Sequence, residues 1–151
     1  MTTLAKDVCI NVVRLCPDAA LPDYQYPDDA GADIHAIHAI NLQPFERKLI
    51  STGLRVELPQ GIELQIRPRS GLAQKHGVTV LNSPGTIDSG YRGEIKILLI
   101  NLGQKPCSLK KGERIAQIVA ASVTKIIYHE VSDVNTKTDR GAQGFGSTDD
   151  D

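Results

Sequence analysis

Gly61-Ile-Glu-Leu-Gln-Ile-Arg67 sets Ile62, Leu64 and Ile66 against Glu63, Gln65 and Arg67. A period of two over six residues belongs to a strand with one buried and one polar face. Comparable short runs recur at 10–15, 32–36, 47–51, 54–58, 78–81, 94–102, 114–123 and 125–131, most of them bounded by Pro, Gly or Asn. Such spacing predicts an all-β sandwich, barrel or jelly roll. Composition agrees: aromatics are 4% with no Trp, so the core must be built mainly from Ile, Leu and Val. The only helical turn expected spans 70–75, closed by His76-Gly77, where Gly supplies a left-handed cap.

A chain of 151 residues suits one folded domain, expected over 1–131. Beyond Ser132 the residues are mostly Asp, Thr, Gly and Ser with a single aromatic, Phe145, which predicts a flexible Gly-rich arm over 132–151. The net charge of −1 lacks the basic field of a general nucleic-acid binder, and no long apolar span or signal-peptide pattern is present. Cys9, Cys16 and Cys107 are odd in number and lack zinc spacing; they read as reduced, partly buried thiols of a cytoplasm-like compartment. His35 and His38 read as ordinary surface or packed histidines rather than metal ligands.

Chemistry is expected at Gly85-Thr-Ile-Asp-Ser-Gly-Tyr-Arg-Gly93. Between the runs at 78–81 and 94–102 this stretch reads as a β-hairpin with Ser89-Gly90 as its turn, which would make Asp88 and Tyr91 opposed cross-strand neighbours. A carboxylate facing a ring suits a flat ligand held beside a proton acceptor; an ordinary solvent-facing turn fits the same residues. Pro68-Arg-Ser-Gly-Leu-Ala73 sets Arg69, Ser70 and the Gly71 amide at the start of the expected helix, where an anion is favoured; a Ser N-cap with a salt-bridging Arg is the plainer alternative. Arg140-Gly-Ala-Gln-Gly-Phe-Gly-Ser-Thr148 interleaves glycines with a cation and hydroxyls, a pattern suited to phosphate capture but also to a disordered terminus.

Together with Ala30-Gly-Ala-Asp-Ile-His-Ala36 and Glu113-Arg-Ile-Ala-Gln117, these segments resemble, in order, the five motifs of the homotrimeric dUTP diphosphatases, the dUTPases. The resemblance implies a distorted, β-clip-like jelly roll assembled as a homotrimer with shared active sites. It implies hydrolysis of dUTP to dUMP and pyrophosphate, lowering dUTP and supplying dUMP for thymidylate synthesis. Asp88 would activate the attacking water. Asn82 and the backbone at Gly85 and Ile87 would read uracil, and Tyr91 would exclude a 2′-hydroxyl. Arg69, Ser70 and Gly71 would contact the α- and β-phosphates, and Gln117 a phosphate or water. From the arm, Arg140 would hold the γ-phosphate, Phe145 would cover the base, Gly146 would bind substrate, and Ser147 and Thr148 would contact the terminal phosphates. Mg²⁺ would arrive on the substrate triphosphate with no direct protein ligand, Asp33 acting through water. Nucleic acid and membrane are not expected partners, and the expected location is the cytoplasm, or the nucleus in a eukaryotic or viral setting.

Two tail features depart from the family pattern: Gln143 stands where glycine is common, and Asp149-Asp-Asp151 follows Thr148. Both predict weaker or more salt-sensitive ordering of the arm. A dCTP deaminase shares the fold, but needs a glutamate where this chain has Leu98. A non-catalytic trimer serving as a scaffold is the reading from another class.

Overall fold

The computed structural model describes residues 7–144. Its order is β1 (Asn11–Arg14), β2 (Ala32–His35), β3 (Ile40–Leu42), β4 (Arg47–Glu57), β5 (Ile62–Arg67), α1 (Ser70–His76), β6 (Val78–Val80), β7 (Gly85–Ile87), β8 (Glu94–Asn101), β9 (Cys107–Leu109) and β10 (Arg114–Ser122). Two four-stranded antiparallel sheets, ordered β1-β4-β8-β6 and β2-β10-β5-β7, pack face to face beside the small pair β3-β9. The all-β, jelly-roll-like architecture is the one expected.

Alternation decides which side chains enter the core. In β8, Ile95, Ile97 and Leu99 are buried while Lys96 faces solvent, and in β5 Leu64 and Ile66 point inward. These join Ile34, Leu42, Leu54, Val78 and Ile115 in one aliphatic cluster, whose burial supplies roughly 25 cal/mol per Å² of apolar surface removed from water. Among the described residues two polar side chains, Thr52 and Asn101, are fully enclosed, and both are satisfied. Asn101 donates to the Leu42 and Lys105 carbonyls and accepts from the Gly103 amide, tying β8 to the β3–β9 pair. Thr52 donates to the Ile95 carbonyl at 2.6 Å.

Several expectations on local structure need correction. The runs at 47–51 and 54–58 form one strand, β4, whose register against β8 shifts between Ser51 and Arg55. Gly53 sits in that irregularity at φ +68, so it marks a bulge rather than a strand end. No strand forms over 125–131: among the described residues regular structure ends at Ser122, and Ile127 is 93% exposed. A β-favouring sequence needs a neighbouring edge to complete its ladder, and this segment pairs with none. The helix is as expected, with Gly77 capping it at φ 69 and ψ 15. Ser70 is not its N-cap, however; Arg69 takes that position in an extended conformation, and no side chain caps the helix. Of the thiols, Cys107 is buried, Cys16 half-buried and Cys9 exposed, so the expectation of three partly buried thiols fails at Cys9.

Candidate active site

The segment around Asp88 does not form the expected hairpin. The flanking stretches do pair, as β6 with β8, but the residues between them cross to the other sheet, where β7 pairs with β5 through Gly85↔Ile66 and Ile87↔Leu64. Pro84 precedes that crossing and has no N–H to continue a ladder. Asp88 and Tyr91 are therefore the two ends of a tight turn, closed by the Tyr91 amide donating to the Asp88 carbonyl at 3.0 Å, rather than cross-strand partners. Arg92 braces that turn, its guanidinium donating to the carbonyls of Ser89 at 2.7 Å and Tyr91 at 2.9 Å. The Tyr91 hydroxyl donates to the Glu94 carbonyl at 2.9 Å.

A cleft of about 320 Å³ lies against this turn, lined by Asn82, Gly85, Ile87, Asp88 and Tyr91 together with Glu94, Lys96 and Leu98. β7 is the outermost strand of its sheet, so one row of its backbone groups is free to meet a ligand. The floor is aliphatic, from Ile66, Val80 and Ile97. A flat heterocycle with hydrogen-bonding edges suits this combination, and the exposed Asp88 carboxylate is the nearby proton acceptor.

A second cleft, of about 500 Å³, gathers Asp33, Arg69, Ser70, Gly71 and Gln117 with Gln25, Tyr26, Asp29, Gly31 and Arg114. Its centre is Asp33, only 7% exposed. One oxygen of that carboxylate meets Arg69 Nε at 2.9 Å and the other meets Arg114 Nη1 at 3.1 Å. Both guanidiniums are thereby oriented while keeping other N–H groups for an anion. Gln117 on β10 donates to the Pro68 carbonyl at 2.9 Å, fixing the turn that carries Arg69. Its place between two cations makes Asp33 an anchor for both arginines. Among the described residues no group of three or more His, Cys, Asp or Glu is placed to hold a metal. Mg²⁺ retains waters and is commonly carried on substrate phosphates, so the chemistry expected of it requires no such group.

The dUTPase family model matches residues 17–149, a span that includes both clefts. The chain belongs to the dUTPase family. Two curated relatives are named deoxyuridine 5′-triphosphate nucleotidohydrolase: that of Clostridium kluyveri is 51% identical over 137 residues, covering 91% of this chain and 95% of its own. That of Nautilia profundicola is 54% identical over 139 residues, covering 92% and 97%. Among solved structures, a substituted form of the Staphylococcus bacteriophage 80alpha dUTPase with dUpNHpp matches at a TM-score of 0.85 and 26% identity, over 93% of this chain and 98% of that one. The dUTPase of phage phi11 of S. aureus, described with a structural Mg(II) ion, shares the fold at a TM-score of 0.77 and 22% identity, over 83% and 98%.

Within this dUTPase chain, the residues expected to meet the nucleoside share one cleft and those expected to meet the inner phosphates share the other; no residue lines both. Arg140 lies in neither, its Nε donating to the Gln143 carbonyl at 3.0 Å on an exposed segment. Phe145, Gly146, Ser147 and Thr148, and the acidic end at 149–151, lie outside the described residues. Leu98 lines the cleft beside Asp88, and its side chain carries no group able to transfer a proton. Arg114 and Arg92 were missed as site residues. Arg114 stands inside a quoted motif, but its partner is 81 positions away; the signal for Arg92 was its place one residue after a turn.

Proposed function

We propose that this chain hydrolyses dUTP to dUMP and pyrophosphate, and that Asp88 is the general base. Its carboxylate orients a water and takes its proton as the water oxygen bonds to the α-phosphorus; the bond from that phosphorus to the α,β-bridging oxygen breaks, and its electron pair leaves with pyrophosphate. The carrying observation is the turn of residues 88–91, which sets an exposed carboxylate beside a cleft floored by aliphatic side chains and edged by the free backbone of β7.

Backbone N–H and C=O groups at Gly85 and Ile87, with the Asn82 amide, read the uracil edge. Cytosine presents a donor where uracil presents an acceptor, and a buried mismatch of that kind is costly. Tyr91 lies against the deoxyribose and leaves no room for a 2′-hydroxyl. Arg69, held by Asp33, contacts the α- and β-phosphates with Ser70 and Gly71, and Gln117 holds a phosphate or a water. Mg²⁺ bound to the triphosphate supplies charge neutralisation.

The two clefts act together across subunits of a homotrimer: the Asp88 turn of one copy meets the Asp33–Arg69–Gln117 cleft of another. The arm, residues 132–151, closes from the third, bringing Arg140 to the γ-phosphate and Phe145 over the base. Their separation on one chain supports this division.

Pyrophosphate release from dUTP, dCTP, dTTP and UTP tests the assignment, repeated with Asp88→Asn. Strong preference for dUTP is expected, with kcat reduced about 10²- to 10⁴-fold in the variant. Equal turnover of dCTP, or an undiminished Asp88→Asn enzyme, would overturn it.

A further inference from the structure

Gly93 carries no side chain, and that absence is filled by Tyr91. A β-carbon built at position 93 would lie 3.0 Å from Tyr91 Cε2 and 2.5 Å from its Cζ, with the hydroxyl oxygen closer still. Real β-carbons do not approach other atoms so closely, so ring or backbone would have to move. Gly93 is not among the positive-φ residues, so a larger residue there meets no backbone prohibition. What excludes it is the tyrosine ring.

The ring is also pinned at its far end, where its hydroxyl donates to the Glu94 carbonyl at 2.9 Å. Its near end is fixed by the turn, through the Tyr91 amide bond to the Asp88 carbonyl and the Arg92 brace. Tyr91 is nevertheless 44% exposed, so burial alone does not hold it. Bare backbone at 93 and a carbonyl at 94 together make a seat for a ring that otherwise stands half in solvent.

We propose that Gly93 is a specificity-determining positioning residue: by admitting the Tyr91 ring against the backbone it sets the distance from ring to sugar, and hence discrimination between deoxyribonucleotide and ribonucleotide. This rests on the dUTP-hydrolysing reading above. Gly93 does not touch substrate; it acts through Tyr91. A merely structural glycine would alter stability or lower activity on every nucleotide alike. A ring seat alters the ratio between sugars.

The test measures kcat and KM for dUTP and UTP in wild type, Gly93→Ala and Tyr91→Phe, with thermal unfolding of each. The wild type must turn over dUTP; if it does not, the functional reading fails independently of this one. In Gly93→Ala the ratio of kcat/KM for dUTP to that for UTP is expected to fall at least tenfold, with the unfolding temperature little changed because the displaced ring is already half exposed. Tyr91→Phe keeps the ring, removes the pin, and is expected to lower the same ratio about threefold. A ratio within twofold of wild type in Gly93→Ala, or equal losses on both nucleotides, would overturn the proposal. Should the alanine variant not fold, an unchanged ratio in Tyr91→Phe would overturn the pinned seat.

Discussion

Asp33 Oδ1 and Arg69 Nε stand 2.9 Å apart, joining β2 to the residue at the N-cap of α1 across 36 positions of sequence. Because the same carboxylate also holds Arg114, it governs both cations of the cleft proposed to take the phosphates. Replacing Asp33 by Asn keeps the shape and removes the charge. The expected result is a roughly tenfold rise in KM for dUTP, with a stability loss of about 1–3 kcal/mol, the range for disrupting hydrogen bonds to a charged group in a partly buried setting. Steady-state kinetics with urea unfolding check both; an unchanged KM would remove Asp33 from any role in placing arginines.

Phe45 adopts φ +61 while 72% exposed. For a bulky residue the left-handed region costs roughly 1–2 kcal/mol, and the ring recovers little from burial. Phe45→Gly should therefore stabilise the fold by about 0.5–1 kcal/mol after the added unfolded-state entropy of glycine, raising the unfolding temperature about 1–4 °C. A calorimetric decrease would show that the ring has a partner.

Burial pushes the Cys107 thiol above its usual 9.0, and the Glu113 carboxylate adds to the effect. At pH 8 Cys107 should resist alkylation until denaturant is added, while exposed Cys9 reacts quickly. The sign for stability follows. A folded thiol that holds its proton longer than the unfolded one makes the fold lose stability as pH rises past about 9. Mass-spectrometric labelling at pH 8 and urea midpoints from pH 8 to 10 would reveal either failure.

Deleting residues 132–151 removes Arg140 and Phe145 but none of the described strands. The truncated chain should fold with an unchanged unfolding temperature and lose at least about 100-fold in kcat/KM, the scale of removing charged transition-state contacts. Full activity would exclude the arm from the site.

Where strands are long and alternate, sequence was a good guide: β5 lies at the residues its pattern marks, and α1 ends on the glycine expected to cap it. Short elements escaped notice because three residues carry no period; β3 and β9 are of that kind. The pairing of β7 with β5 joins Gly85 to Ile66 across a helix and a strand, a non-local choice set by sheet packing and not by any residue in β7. The same limit applied to the site. The turn at 88–91 is local, so its carboxylate and ring were legible, whereas Asp33's bond to Arg114 exists only because β2 and β10 lie side by side.

The separation of the two clefts has a genetic consequence. In the homotrimer proposed above, a copy lacking Asp88 and a copy lacking Arg69 would be damaged in different half-sites, so mixed assemblies of two dead alleles would rebuild some intact catalytic centres. Conversely, a single allele damaged in both halves would poison its wild-type partners, and a heterozygous cell would lose more than half of its activity.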